Sequence, residues 1–218
     1  MTKGFIFVLA LLTAIPASAE SAFNYSGVSA GIGFVTLGIE DSDQELNARS
    51  LGVSLSNELS NQFVAGLGVN HLVVDDILYD DGIYFDTTGT QTTFNITFGR
   101  YFVVNPLFDI TVSGTIGFSK YESDTLLTDI NGNSLYVEDS GTDSSVGGRI
   151  GARMLLSEAG NFEVSPSLTY ITNEGESDTV LGAEFALNLT PKANIGLSFN
   201  TSTKEDQTSF GVFGKLYF

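Results

Sequence analysis

Between Phe108 and Ser119 the chain alternates without a break: Phe108, Ile110, Val112, Gly114, Ile116 and Phe118 on one parity, Asp109, Thr111, Ser113, Thr115, Gly117 and Ser119 on the other. A period of two sustained this long is a β-strand whose faces meet different solvents. The apolar face is bounded by Phe at both ends, and the polar face is small. Ten residues at about 3.3 Å each, tilted by roughly 40°, span about 25 Å, the height of a membrane barrel's apolar band. A half-buried strand of a soluble sandwich would alternate in the same way, so the rest of the chain has to decide between the two.

Ten stretches share this alternation: Tyr25 to Ile39, Ala48 to Leu59, Phe63 to Val74, Thr90 to Tyr101, Leu107 to Tyr121, Ser145 to Leu156, Phe162 to Thr172, Thr179 to Leu189, Ala193 to Thr201 and Thr208 to Phe218. The connections between them alternate in kind. Ser60 to Gln62, Phe102 to Pro106, Ser157 to Asn161 and Thr190 to Lys192 are short. Glu40 to Asn47, Asp75 to Gly89, Glu122 to Ser144, Asn173 to Asp178 and Ser202 to Gln207 are longer or strongly acidic. Of the 26 carboxylates, 20 fall in that second set. Short turns on one rim and long loops on the other are an outer-membrane arrangement. The pattern predicts an all-β fold: a closed antiparallel transmembrane barrel, ten-stranded with eight as the alternative.

Hairpin register tests the assignment, because residues facing each other across a hairpin share a face. A turn at Asp81-Gly82 pairs Ala65 with Phe98, Leu67 with Ile96 and Val69 with Phe94. Centring the next outer hairpin on Gly132 pairs Phe108 with Leu156, Ile110 with Met154 and Val112 with Ala152. A turn at Gly175-Glu176 pairs Tyr170 with Leu181 and Leu168 with Ala183. Every outward residue meets an outward partner, and the third and fifth strands' hairpins are expected to continue above the membrane. Two places resist. Val35, Leu37 and Ile39 fall on an inward face, which suggests a bulge near Gly33 or a segment above the membrane. Pro166, in mid-strand, suggests a local bulge.

The N-terminus carries Lys3, an apolar run from Phe5 to Leu12, Pro16 and Ala17-Ser18-Ala19. These are the parts of a cleaved secretory signal peptide, residues 1–19, leaving a single domain over 20–218. The run is too short for a spanning helix. There is no cysteine, which excludes disulfide staples, lipid attachment through a thiol, and cysteine metal sites. A net charge of -17 argues against nucleic acid as a partner.

The last strand reads Ser209-Phe210-Gly211-Val212-Phe213-Gly214-Lys215-Leu216-Tyr217-Phe218. It resembles the C-terminal signal strand of Gram-negative outer-membrane β-barrel proteins, with Phe210, Val212, Leu216 and Phe218 as the alternate residues. Gly214 stands where such strands usually carry a bulky apolar residue. Among those proteins the chain is similar to the small barrels of the OmpA-like superfamily, whose members mostly have eight strands. The resemblance implies residence in the outer membrane, contact with its lipid and lipopolysaccharide, and insertion by the machinery that reads the last strand.

Inward positions are mostly Gly, Ser and Thr, with charges at Asp109, Arg149, Arg153, Glu163, Glu184 and Lys215. The register sets Arg153 opposite Thr111, with Asp109 and Glu163 both in reach, so these charges are expected to form an ionic plug near the periplasmic rim. Unpaired charges there would be costly. The alternative is a set of solvated charges in an open channel. His71, the only histidine, lies near Asp75 and Asp76 and raises the question of a protease or lipid hydrolase, but no oriented partner or nucleophile accompanies it.

Asp129-Ile130-Asn131-Gly132 has its Gly too early for a calcium loop and reads as hairpin chemistry. The loop acids could still hold divalent cations weakly, and Arg49, Lys120 and Lys204 could meet phosphates directly. No cofactor is implied. The leading functional reading is a non-enzymatic surface protein whose acidic loops contact the envelope or an external partner. A narrow cation-preferring porin comes second and an outer-membrane hydrolase third.

Overall fold

A computed structural model describes residues 21–38, 45–80, 83–156, 160–173, 175–204 and 207–218. The expected signal peptide lies outside the described residues. Ten strands follow one another: β1 Gly27–Gly38, β2 Glu45–Glu58, β3 Phe63–Asp80, β4 Ile83–Asn105, β5 Phe108–Asp129, β6 Ser134–Leu155, β7 Phe162–Asn173, β8 Glu176–Thr190, β9 Ala193–Ser202 and β10 Thr208–Tyr217. Each pairs antiparallel with its sequence neighbours, and β1 closes on β10. The ten-stranded reading holds and the eight-stranded alternative does not.

The outward face is apolar and lies open: Ile32, Phe34, Leu51, Val53, Phe118 and Ile150 all expose more than half of their surface. That row fits lipid, since a water-soluble sheet would cover it. On β3 the band begins at Phe63, where Arg100 lies over the Phe63 and Phe102 rings at 5.4 and 5.1 Å. It ends near the row Leu51, His71, Thr92 and Lys120, cross-strand neighbours at one height. Inside, small residues let the walls approach. A Cβ added to Gly196 would sit 2.5 Å from the Phe213 ring and from the Phe185 carbonyl oxygen.

The expected continuation of two hairpins above the membrane holds, and other expectations need correction. The segments Asp75 to Gly89 and Glu122 to Ser144, read as connections, are mostly strand, so β3 to β6 run on as a four-stranded sheet beyond the apolar band. Phe102 to Asn105 is likewise strand, leaving a tight turn at Pro106-Leu107, with a register shift between Val103 and Asn105.

The register of two hairpins is shifted by two residues. Phe108 faces Met154, Ile110 faces Ala152 and Val112 faces Ile150, because Gly132, at φ 82°, closes a three-residue loop and is not its centre. Leu168 faces Leu181 and Tyr170 faces Thr179, because Gly175, at φ 98°, is the second residue of a turn closed by the Asn173–Glu176 pair. A shift of two preserves which face each residue occupies. The β3–β4 register, Ala65 with Phe98 and Val69 with Phe94, stands as expected.

No bulge occurs near Gly33, since β1 pairs regularly with both neighbours and Val35 is buried on the lumen side beside Ala48. Nor does Pro166 make one. The β6–β7 ladder lapses between Gly151–Ser167 and Met154–Val164 but resumes in the same register, as expected where an N–H is missing.

Candidate functional site

The buried groups gather at the periplasmic mouth. Phe23, Tyr25 and Tyr101 form an apolar cluster with Val64, Val103 and Leu155 against it. The Tyr25 and Tyr101 rings stack with centroids 4.1 Å apart and planes 5° from parallel. Two of these rings belong to the segment before β1, which folds across the mouth and into it.

Arg153 organises the mouth. Its Nε and Nη2 donate to the two oxygens of Glu163 at 2.7 and 2.9 Å, the bidentate fork that suits a guanidinium and a carboxylate. Its Nη1 donates to the Asn24 carbonyl at 3.0 Å, and its guanidinium carbon lies 4.7 Å from the centres of both the Phe23 and Tyr25 rings. Asp109, fully buried, sits directly across the β5–β6 ladder from Arg153. Its Oδ2 accepts from the Ser21 hydroxyl at 2.5 Å and the Tyr25 hydroxyl at 2.9 Å.

The six lumen charges named from sequence therefore fall into three groups. Arg153 and Glu163 form one pair. Glu184 forms the other centre, taking Lys215 at 2.8 Å and Arg149 at 3.9 Å. Asp109 belongs with the hydroxyls of the N-terminal segment. Ser21, Phe23 and Tyr25 were missed by the sequence reading. Their only signal is two aromatic rings, one residue apart, just past the expected cleavage site.

Above the mouth the lumen holds two cavities of about 460 and 510 Å³. They meet at the level of Ser29, Ser54, Gly68 and Asn95, which line both. The lower contains Arg149, Glu184 and Lys215. The upper is walled by hydroxyls and amides such as Ser50, Asn70, Gln91 and Asn200.

His71 is outside this lumen. By strand parity it shares the outer face with Leu51, and its Nδ1 lies 2.9 Å from the Thr92 hydroxyl. Lys120 and Lys204 are engaged by Glu122 and Glu176. Among the described residues no cluster of three or more His, Cys, Asp or Glu side chains could hold a metal ion. Asp129 accepts from the Asn133 side chain and from the Asn133 and Asn131 backbone, each at 2.8 Å, and these bonds, the Asn133 side chain's first, hold its carboxyl below the usual range. Asp76 is lowered in the same way, chiefly by the Asn47 backbone N–H. On the last strand Val212, Leu216 and Phe218 are exposed outward, and the Phe210 ring lies tilted against Phe199 with centroids 5.0 Å apart.

A closed antiparallel barrel with an apolar exterior and a polar, partly filled interior is a membrane-spanning barrel of the outer-membrane type. Residues 5–215 match the family described as outer membrane protein beta-barrel domain, and the chain belongs to that family. It is an outer-membrane protein. No curated protein matches its sequence significantly. Among solved structures it is similar to the beta domain of the Bordetella autotransporter BrkA, with 14% identity, 89% of this chain and 100% of that one covered, and a TM-score of 0.56. The translocator domain of the autotransporter NalP from Neisseria meningitidis follows at 10% identity, 99% and 94% coverage, and a TM-score of 0.51. Ail, the attachment invasion locus protein of Yersinia pestis, gives 14% identity, 89% and 97% coverage, and a TM-score of 0.42. At these identities the likeness concerns the fold alone.

Proposed function

We propose that the chain is a non-enzymatic surface protein, exported with cleavage after Ala19, whose projecting β3–β6 sheet contacts an external partner bearing basic, extended segments. The observation that carries this reading is the sheet itself. Its outer face mixes exposed apolar residues with acids: Ile77, Tyr79, Tyr84 and Tyr136 stand exposed beside Asp75, Asp86 and Asp124. Among the described residues β6 pairs with β7 only from Ser145 downward, so residues 134–144 form an edge of the sheet. Such an edge accepts an added strand, and the surrounding carboxylates favour a cationic one.

Two further contacts belong to the same proposal. Divalent cations bridging the loop acids to lipopolysaccharide phosphates would hold the outer rim against its neighbours, and the last strand would be read by the insertion machinery. A cation-preferring porin is less well supported, because the periplasmic mouth is occupied. A hydrolase is weaker still, since His71 faces outward.

The test compares cells bearing the native chain with cells bearing one whose sheet is cut back to short turns below residues 76 and 138. Binding to immobilised polylysine and polyglutamate is the readout. The native chain should retain cells on polylysine, and the trimmed chain should not. Equal retention by both would reject the reading.

A further inference from the structure

The N-terminal segment Ser21 to Tyr25 is bound at the periplasmic mouth by four kinds of contact: two hydroxyls on Asp109, a carbonyl on Arg153, two rings over the same guanidinium, and Tyr25 stacked on Tyr101. It leads into β1 through Ser26, and none of residues 21–25 is a rung of the ladder. Above it lie the two lumen cavities of about 460 and 510 Å³, which share Ser29, Ser54, Gly68 and Asn95 in their walls. The wall of the lower one includes Arg149, Arg153, Lys215 and Glu184, with Glu163 forked onto Arg153 and Glu184 taking Lys215. The upper part is lined by uncharged hydroxyls and amides.

We propose that the barrel is a path for small uncharged polyols, shut at the periplasmic end by residues 21–25 acting as a removable strap. The lining fixes the solute class. Side-chain amides and hydroxyls exchange hydrogen bonds with hydroxylated solutes as water does, while wall charges held in ion pairs, Arg153 with Glu163 and Lys215 with Glu184, leave little free charge to select an ion. The strap fixes the resting state, because its two rings lie against Arg153 and Tyr101 at the mouth. The proposal concerns the lumen and is independent of the sheet's contact role.

Liposome swelling in glycerol tests it, using refolded protein whose boiled and unboiled gel mobilities differ. The native mature chain should swell at the protein-free baseline. The same chain lacking residues 21–25 should swell clearly faster, and its bilayer conductance should reverse close to zero potential in a KCl gradient. Baseline swelling by the folded deletion variant would overturn the proposal, as would fast swelling by the native chain. A strong cation preference would overturn the solute assignment.

Should the deletion variant fail to show the gel shift, Ser21→Cys with Asp109→Cys puts one thiol on the strap and one on the wall residue to which Ser21 is hydrogen-bonded. Oxidised protein whose free thiols have been titrated away should be closed, and the reduced form leaky. Equal rates in those two states would overturn the strap.

Discussion

The two ends of the barrel treat charge in opposite ways. At the periplasmic mouth the charged groups are few and buried, and each is held by a named partner: Arg153 by Glu163 and the Asn24 carbonyl, Asp109 by two hydroxyls. At the outer end carboxylates are many, and those of Asp75, Asp86, Glu122 and Asp124 stand exposed on the extensions of β3 to β5 beyond the apolar band. Water screens the outer charges, so they act on approaching molecules and hardly on the fold. The charges of the mouth are buried, so they bear on stability and on passage.

The largest expected effect follows from breaking the mouth. Arg153→Ala leaves Glu163, 5% exposed, without its fork, and should cost roughly 3–5 kcal/mol, read as a lower urea midpoint for loss of the gel shift. An unchanged midpoint would mean that water enters the mouth. Tyr25→Phe keeps the ring stack but removes one of the two hydroxyls on a fully buried carboxylate. Its cost should be about 1–3 kcal/mol by the same measurement.

At the outer end the contrast reverses. Ile77→Ser with Tyr136→Ser should move the midpoint by less than about 0.5 kcal/mol, yet sharply reduce retention on polylysine. A destabilisation comparable to that of Arg153→Ala would show the sheet to be part of the barrel's core.

The smallest effect concerns acid. Asp129's carboxyl is held low in the folded hairpin, so its stabilisation is present above the unfolded value of about 3.9 and is lost as pH falls through the folded one. Amide exchange at Asn131 and Asn133 should therefore accelerate only below about pH 4, relative to a loop such as Pro106-Leu107 that has no such carboxylate. Acceleration already at pH 6 would contradict it.

Most of the membrane barrel could be read in advance because alternation is strongest where one face meets lipid and the other water. Phe108 to Phe118 is the clearest case. Past Val74 and Tyr121 both faces meet water, the contrast between parities fades, and strand there reads as acidic loop. The two-residue register slips at Gly132 and Gly175 have a related cause. Parity constrains pairing only to even steps, and which even step is taken depends on where the glycine's positive φ falls in the turn. At the mouth, Arg153 and Glu163 could be matched because they flank one short turn. Ser21, Phe23 and Tyr25 could not be matched, since irregular chain carries no period from which to infer its partner.

The sequence by itself determined the alternating faces of the membrane strands and the gathering of acids in alternate connections, because these follow from local alternation and from the connections between strands; the choice of ten strands over eight came with the closed ladder. Only the tertiary structure decided that Asp109, though opposite Arg153, takes its hydrogen bonds from hydroxyls, that the N-terminal segment returns to the mouth, and how far β3 to β6 extend as a sheet beyond the apolar band. Those features depend on contacts between residues as far apart in the chain as Ser21 and Asp109, brought together only once β1 has closed on β10.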